Sequence, residues 1–245
     1  PRPIALASTI DKNGNVNLSP FSFFNLFSSN PPILIFSPAR RVRDNSTKDT
    51  LHNVLEVPEV VIGNVNFDMV QQVSLSSTEY ETGVDEFIKS GLTKKPAELV
   101  KPPLIAESPV NFECKVIEVK PLGNEGGAGN LVICEVLKIH IREEFLNEEG
   151  NLDQKKLDLV SRLGGNWYGR TTAETLFEVP KPLVTKGIGF DQLPSEIKNS
   201  KIFTGNDLGM LANVEQLPEG NFSADENLHL EAQKLLLEGK IEEAW

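Results

Sequence analysis

The segment "SPARRVRDNSTKDT" (37–50) sets Arg40, Arg41, Arg43 and Lys48 among Ser46, Thr47, Asp49 and Thr50. Directly after it, Leu51, Val54 and Leu55 fall on one helical face, which predicts a helix over 47–57. Cations, hydroxyl donors and free backbone N–H groups at a helix start are what a dianionic phosphate requires. A solvated loop capping a helix would carry the same residues. The stretch just upstream, "SPFSFFNLFSSNPPILIFSP" (19–38), favours a ligand. It threads phenylalanines with serines and an asparagine, too polar for a core strand and too aromatic for a solvent loop. Such a surface suits something flat and polar: a ring could lie along it, with its phosphate on the basic loop.

Other constellations carry less. His52, His140 and His229 lie far apart in the sequence, and no HExxH or Cys/His cluster exists, so no metal site is expected. Cys114 and Cys134 each sit in an apolar run without CxxC spacing and read as buried free thiols, which need no oxidising compartment. No GxSxG nucleophile elbow appears. "GNEGGAGN" (123–130) is not GxxxxGK[ST] and leads into a strand, so it reads as a flexible hairpin loop rather than a phosphate cradle. No catalytic side-chain constellation emerges.

The elements that must position these groups are mostly strands. "IALASTI" (4–10) is a strand candidate, and Asn13-Gly14 in "DKNGN" supplies the positive-φ residues of a turn. The return strand runs over 16–29, with Pro20 at an edge or bulge because it lacks a ladder donor. "PPILIFSP" (31–38) and "VVIGNVN" (60–66) follow. "VNFECKVIEVKPLG" (110–123) and "NLVICEVLKIHIREEF" (130–145) read as the longest hairpin. Short helices are expected over 68–77 and 84–92, and over 157–171 a helix ending at Gly164-Gly165. Residues 175–222 read as irregular with one or two helical turns. A final amphipathic helix over 223–245 is expected, with Leu228, Leu235 and Ile241 on its apolar face, a Ser223/Glu226 capping box and a break at Gly239.

The formal net charge of −11 argues against nucleic-acid and anionic membrane partners, and no apolar run reaches the roughly 20 residues of a membrane helix. No secretory signal is seen, and a cytoplasmic location is expected. The chain opens without methionine inside an apolar segment, which predicts some dozens of residues upstream.

"PRPIALASTID", "GNVNLSPFSFFNLFSSNPPILIFSPARR", "KDTLHN", "AESPVNFECKVIEV", "GNLVICEVLKIHI" and "LGGNWY", in that order, resemble the flavin reductase-like family of FMN-binding split-barrel proteins, in its flavoredoxin-like branch. The resemblance covers roughly residues 1–170 and continues more weakly through "GIGFDQLP" and "TGNDLG". It implies a mainly β fold: a six-stranded antiparallel Greek-key split barrel over 1–174, with a C-terminal irregular and helical extension over 175–245 packed on the barrel or a partner. It implies a homodimer with FMN near the interface. Ser22, Phe23, Phe24 and Asn25 would lie along the isoalloxazine ring, with Ser8 and Thr9 on the neighbouring strand. Arg40, Arg41, Lys48, Asp49 and Thr50 would hold ribityl and phosphate, Asp49 as a helix cap or hydroxyl orienter. Phe21 and Phe27 would pack the barrel or the dimer interface.

The implied activity is hydride transfer from NAD(P)H to bound flavin, with the flavin carrying the chemistry. The alternatives are a flavoredoxin-like electron carrier reduced by a protein partner, and a non-enzymatic FMN-binding protein. His140 lies on a barrel strand; a hydrogen-bonded strand histidine is the simpler reading and a place on the substrate side the alternative. Trp167 and Tyr168 follow a Gly-Gly turn, where they stack on flavin or nicotinamide or pack a dimer.

Overall fold

A computed structural model describes residues 1–245. The chain forms two compact units, Pro1–Phe177 and Glu178–Trp245. The first is built on one antiparallel sheet of β1 (Ala5–Ile10), β2 (Val16–Phe21), β3 (Phe24–Ser29), β4 (Pro32–Phe36), β5 (Glu59–Asn64), β6 (Val110–Pro121) and β7 (Asn130–Ile141). Their spatial order is β2-β1-β5-β6-β7-β4-β3. The expected count of six strands is thus corrected to seven, because the segment expected as one return strand over 16–29 breaks at Ser22–Phe23 into β2 and β3. These two pieces occupy opposite edges of the sheet.

That break fixes the curvature. In a flat sheet, six strand spacings would hold the edges about 29 Å apart. The chain from Phe21 to Phe24 spans at most ~11 Å. The sheet therefore curls until its edges meet at this corner. The edges share no ladder, so the curl stays open, consistent with a split barrel.

Inside the curl pack Ala5, Ala7, Phe36, Val60, Ile62, Cys114, Val132 and Cys134, with Phe21 5.3 Å from Phe36 ring to ring. Leu51 and Val54 of helix α1 (Asp49–Glu56) join them. On the outer side, Leu6, Leu18 and Val61 meet Met69, Val73 and Phe87 from helices α2 (Val70–Leu75) and α3 (Glu86–Ser90). Strand β1 is covered on both faces, which is why "ALASTI" shows no polar alternation and all six residues are buried. Both cysteines are free and buried, as expected, and burial pushes their thiol pKa values up. Pro20 sits on the edge strand β2, where its missing donor costs no ladder bond. Of the Asn13-Gly14 pair, only Gly14 has positive φ (+86°); Asp11 accepts from Asn13 N (2.9 Å) and Asn15 N (2.8 Å) to close the turn.

Several local readings change. The helix expected over 157–171 is replaced by a hairpin, β8 (Val160–Arg162) and β9 (Tyr168–Arg170), turning at Gly164-Gly165. Arg162 Nη1 holds that turn by donating to Trp167 O (3.0 Å). The glycine-rich loop is braced rather than free. Arg40 N donates to Ala128 O (2.8 Å), Gly127 N to Arg40 O (2.9 Å) and Asn45 Nδ2 to Asn124 O (2.9 Å). A Cβ on Gly126 would meet the Cα and O of Val42 at 3.1 Å, so the glycine serves close backbone approach.

A buried carboxylate fastens the 98–100 segment. Glu113, fully buried on β6, accepts from the N–H groups of Glu98 (3.0 Å), Leu99 (2.6 Å) and Val100 (3.0 Å) and lies 2.5 Å from His140 Nε2. Burial alone would raise its pKa; these hydrogen bonds outweigh burial and hold it below the ordinary glutamate value.

In the second unit, helix α4 (Gly205–Leu211) has a capping box, Thr204 with Asp207, and helix α5 (Glu226–Leu237) follows. The N-cap of α5 is Asp225, which accepts from Asn227 N (2.8 Å), rather than Ser223. Its inward face is His229, Ala232 and Leu236, one residue round from the expected Leu228/Leu235 stripe. His229 takes this place because both ring nitrogens are bonded, to Ser200 Oγ (2.8 Å) and Ser223 O (2.7 Å). Gly239, at φ +75°, ends the helix as expected. No helix is long and apolar enough to cross a membrane.

Two outcomes test these restraints. Gly126→Val should cost about 1–3 kcal/mol through forced displacement of the Val42 backbone, read as a melting temperature several degrees lower. Glu113 has a depressed pKa in the folded state, so its contribution to stability is present above about pH 4.3 and is lost as pH falls below it. Glu113→Gln should lower the melting temperature at pH 7 and flatten its fall between pH 5 and pH 3 relative to wild type.

Candidate functional site

Two clefts and a shelf open along the free edges of the first unit. The polar cleft lies where β2 meets the start of α1 and is lined by Asn17, Ser19, Arg41, Lys48, Asp49, Thr50 and, from the opposite wall, Ser76, Glu79 and Tyr80. Alternation on β2 aims Asn17 and Ser19 to the α1 side, where Thr50 Oγ1 donates to Asn17 Oδ1 (2.7 Å). Asn17 Nδ2 and Leu18 N each donate to Glu86 at 2.9 Å. Burial raises the Glu86 pKa against those two hydrogen bonds.

The charges in this cleft are unevenly satisfied. Arg41 donates to Ser46 Oγ (3.0 Å) and Thr47 O (2.8 Å), and its Nε lies 3.2 Å from Glu79 Oε1. Asp49 is not the cap of α1; that position is Lys48. Its carboxylate instead accepts from Thr82 Oγ1 (3.1 Å). Lys48 is half-buried and makes no ion pair; its nearest specific partner is the Phe21 ring, 5.7 Å from Nζ to centroid. Burial, and then the neighbouring Arg41, lower its pKa. The basic loop itself is preset: Ser46 donates to Asp44 through N–H (3.0 Å) and Oγ (2.6 Å), which brings the Asp44 pKa down to about 2.

The shelf is lined by Ser22, Phe23, Phe24, Asn25, Phe27 and Ile35, with Arg2 at its rim. The second cleft, about 610 Å³, lies on the other face of β2 against α2 and is lined by Pro20, Ser22, Gln71, Ser74, Arg162 and Tyr168 among others. Ser22 belongs to both.

The structure thus brings together Ser22, Phe23, Phe24 and Asn25 on the shelf, and Arg41, Lys48, Asp49 and Thr50 in the polar cleft. Tyr168 joins Ser22 in the second cleft. Five expected residues lie elsewhere. Ser8 and Thr9 are fully buried, because β1 is the second strand in and is paired on both sides; Thr9 Oγ1 accepts from Asn53 Nδ2 (3.1 Å), and Ser8 Oγ has no partner. Arg40 turns back on its own loop, donating from Nε and Nη2 to Asn45 Oδ1 (2.6 Å) and O (2.8 Å). His140 faces a different cavity, shared with Lys95, Asn111 and Arg142, where Glu113 holds it as a hydrogen-bonded strand histidine. Trp167 points to solvent and lines none of these hollows. Asn17, Ser19, Glu79, Arg2 and Arg162 were not singled out from the sequence. The polar alternation of Asn17 and Ser19 within "VNLSP" was the one available signal; the others reach the clefts through long-range folding.

A family model described as the flavin reductase like domain matches residues 1–158. An uncharacterised protein of Aquifex aeolicus is 36% identical over 179 residues, covering 73% of this chain and 89% of that one. Another, from Halalkalibacterium halodurans, is 38% identical over 188 residues, covering 76% and 88%. Among solved structures, nitrilotriacetate monooxygenase component B from Bacillus cereus aligns with a TM-score of 0.67 at 28% identity, covering 73% of this chain and 87% of that one. The flavoredoxin of Desulfovibrio vulgaris shares the fold, with a TM-score of 0.62 at 21% identity over 75% and 92% of the two chains. With the model covering well over half of its length, the chain belongs to the flavin reductase-like family.

Proposed function

We propose that the protein is an FMN-binding oxidoreductase of the flavin reductase type, with Lys48 and Arg41 as its phosphate anchor. The observation that carries this reading is Lys48: a half-buried ammonium with no counterion, beside the helix start and the hydroxyls of Ser19, Thr50 and Ser76. An ion held this way is costly unless an anion completes it. The groups present fit a phosphate. Arg41 already holds one anion, the Glu79 carboxylate, and a phosphate dianion would take its place. The shelf at Ser22–Asn25 offers the flat, partly polar surface on which an isoalloxazine ring would lie.

Bound FMN supplies hydride acceptance from NAD(P)H, a chemistry for which the chain offers no acid–base constellation of its own. The chain binds, orients and shields. Phe23 and Phe24 exclude water from one face of the shelf, and the preset 40–46 loop holds Arg41 without further ordering on binding. Free buried thiols suit a reducing cytoplasm.

A second copy of the chain is part of this proposal. Phe23 at the corner, and Leu26 and Phe27 on the edge strand β3, stand 58%, 56% and 65% exposed. A bare apolar edge is an aggregation hazard unless it is covered. A homodimer would cover it and enclose the shelf. Phe27→Glu should shift wild-type dimer to monomer in analytical ultracentrifugation and weaken FMN binding; an unchanged sedimentation profile would count against the edge as the interface.

Lys48→Met should weaken FMN affinity at least about tenfold, ~1.4 kcal/mol, while raising the melting temperature of the flavin-free protein by relieving a buried charge. Glu79→Gln should tighten FMN by freeing Arg41. Both are read by fluorescence titration. Anaerobic mixing of the FMN-loaded protein with NADH and NADPH should bleach the flavin absorbance. Bleaching only by a reduced ferredoxin-type donor would favour the electron-carrier reading, and bleaching by neither would favour the non-enzymatic one.

A further inference from the structure

Arg2 and Arg162 face each other across an isolated antiparallel bridge and exchange both backbone hydrogen bonds, Arg2 N to Arg162 O at 3.0 Å and Arg162 N to Arg2 O at 2.8 Å. Residues paired in this way stand directly opposite, with Cα atoms about 5.5 Å apart, and their side chains share a face. Like charges there are destabilising. The two guanidinium groups in fact converge: Arg2 Nη2 and Arg162 Nη1 donate to one carbonyl oxygen, that of Leu163, at 3.3 and 3.4 Å. A neutral oxygen cannot balance two cations. Arg43, Arg142 and Arg170 each hold a carboxylate, but neither Arg2 nor Arg162 has an ion-pair partner in a chain of net charge −11.

The surroundings point to a ligand. Ser22 Oγ accepts from Arg2 Nε at 3.2 Å, which leaves its own O–H free to donate. The Arg162 guanidinium lies over the Tyr168 ring, 4.8 Å from the centroid, which fixes its plane. Ser22, Arg162 and Tyr168 line one cleft; Ser22 and Arg2 line the shelf with Phe23 and Phe24. The arginine pair therefore marks the place where cleft and shelf meet, apart from the Arg41/Lys48 cleft.

We propose that Arg2 and Arg162 form an oxyanion clamp for the molecule that exchanges electrons at the shelf, gripping its carboxylate or phosphate group. Assigning the ligand as a redox partner rests on the proposed flavin site; the anion site itself does not. Planar guanidinium forks match both oxyanions, so two sources share this chemistry: the pyrophosphate of a dinucleotide reductant, and the carboxylate of an organic acceptor.

The test is calorimetric titration of the FMN-loaded protein with inorganic pyrophosphate and, separately, with benzoate, whose flat ring suits the shelf. At least one should bind, more weakly as salt is added, and at least about tenfold more weakly in Arg2→Gln and in Arg162→Gln, with the melting temperature retained. Should Arg162→Gln loosen the 163–167 turn, Arg2→Gln carries the test, because its side chain is exposed and its one bond to that turn, to Leu163 O, is long at 3.3 Å. Binding of pyrophosphate alone assigns the clamp to a dinucleotide, and binding of benzoate alone to a carboxylate acceptor; either supports it. Equal binding by wild type and the double variant, or no binding of either anion, overturns it. Repeating the titration on flavin-free Lys48→Met protein separates the two readings. Arginine-dependent anion binding in a wild-type chain that takes up no flavin sinks the proposed function and leaves the clamp. Flavin uptake without arginine-dependent anion binding sinks the clamp alone.

Discussion

Two residues, Ser22 and Phe23, join the opposite edges of a seven-stranded sheet. Most of the first unit depends on that link. A strand pair so far apart in spatial order and so close in sequence forces the sheet to curl. The curl creates an interior for Phe21, Phe36 and Cys134, and it leaves β2 and β3 as free edges that meet at one corner. Alternate residues of β2 face opposite sides of the sheet, so β2 presents Asn17 and Ser19 to one cleft and Pro20 to another. Ser22 sits at the meeting point because it is the corner. The clefts are products of the same constraint that shapes the barrel.

The fold was legible where period and punctuation agreed. The long hairpin of β6 and β7, the buried "ALASTI" strand and the helix after Lys48 all follow from local pattern, as does the identity of the basic loop. The break at Ser22–Phe23 was not legible, because "SPFSFFNLFSS" spreads its serines along the whole segment and has no Gly or Asn-Gly pair at that point. What breaks it is the demand of the far sheet edge, a non-local effect. "LDLVSRLGGNWYGRT" failed for a related reason. Its apolar spacing fits a helix, yet Arg162 finds its backbone partner in Arg2, 160 residues earlier. The glycine loop was read as flexible because the sequence shows the freedom of glycine but not the Val42 backbone that fills the missing Cβ space.

The site was half legible. Cations near a helix start are a local signal, and Arg41, Lys48 and Thr50 do converge. Which arginine points inward is not local: Arg40 and Arg41 are neighbours, and Asn45 captures the first while Ser46 and Glu79 hold the second. Likewise the Ser8 and Thr9 placement follows from β1 lying one strand in from the edge, a fact of sheet order that the residue types do not encode.

A net charge of −11 is compatible with anion sites because charge acts locally. At physiological salt, exposed charges are screened beyond about 8 Å, so distant carboxylates set solubility rather than the potential inside a cleft. Within the polar cleft each acid is already committed: Glu79 to Arg41, Asp49 to Thr82, and Glu86 to Asn17 and Leu18. Burial disfavours charge on Glu86 and so moderates its opposition to an incoming anion. Lys48 has no such commitment. The chain thus keeps its acids occupied around one free ammonium here, and two unpaired guanidinium groups at the other end of the same edge. An anion that enters the Lys48 cleft meets a cation partly desolvated during folding, so less of the interaction is lost on binding.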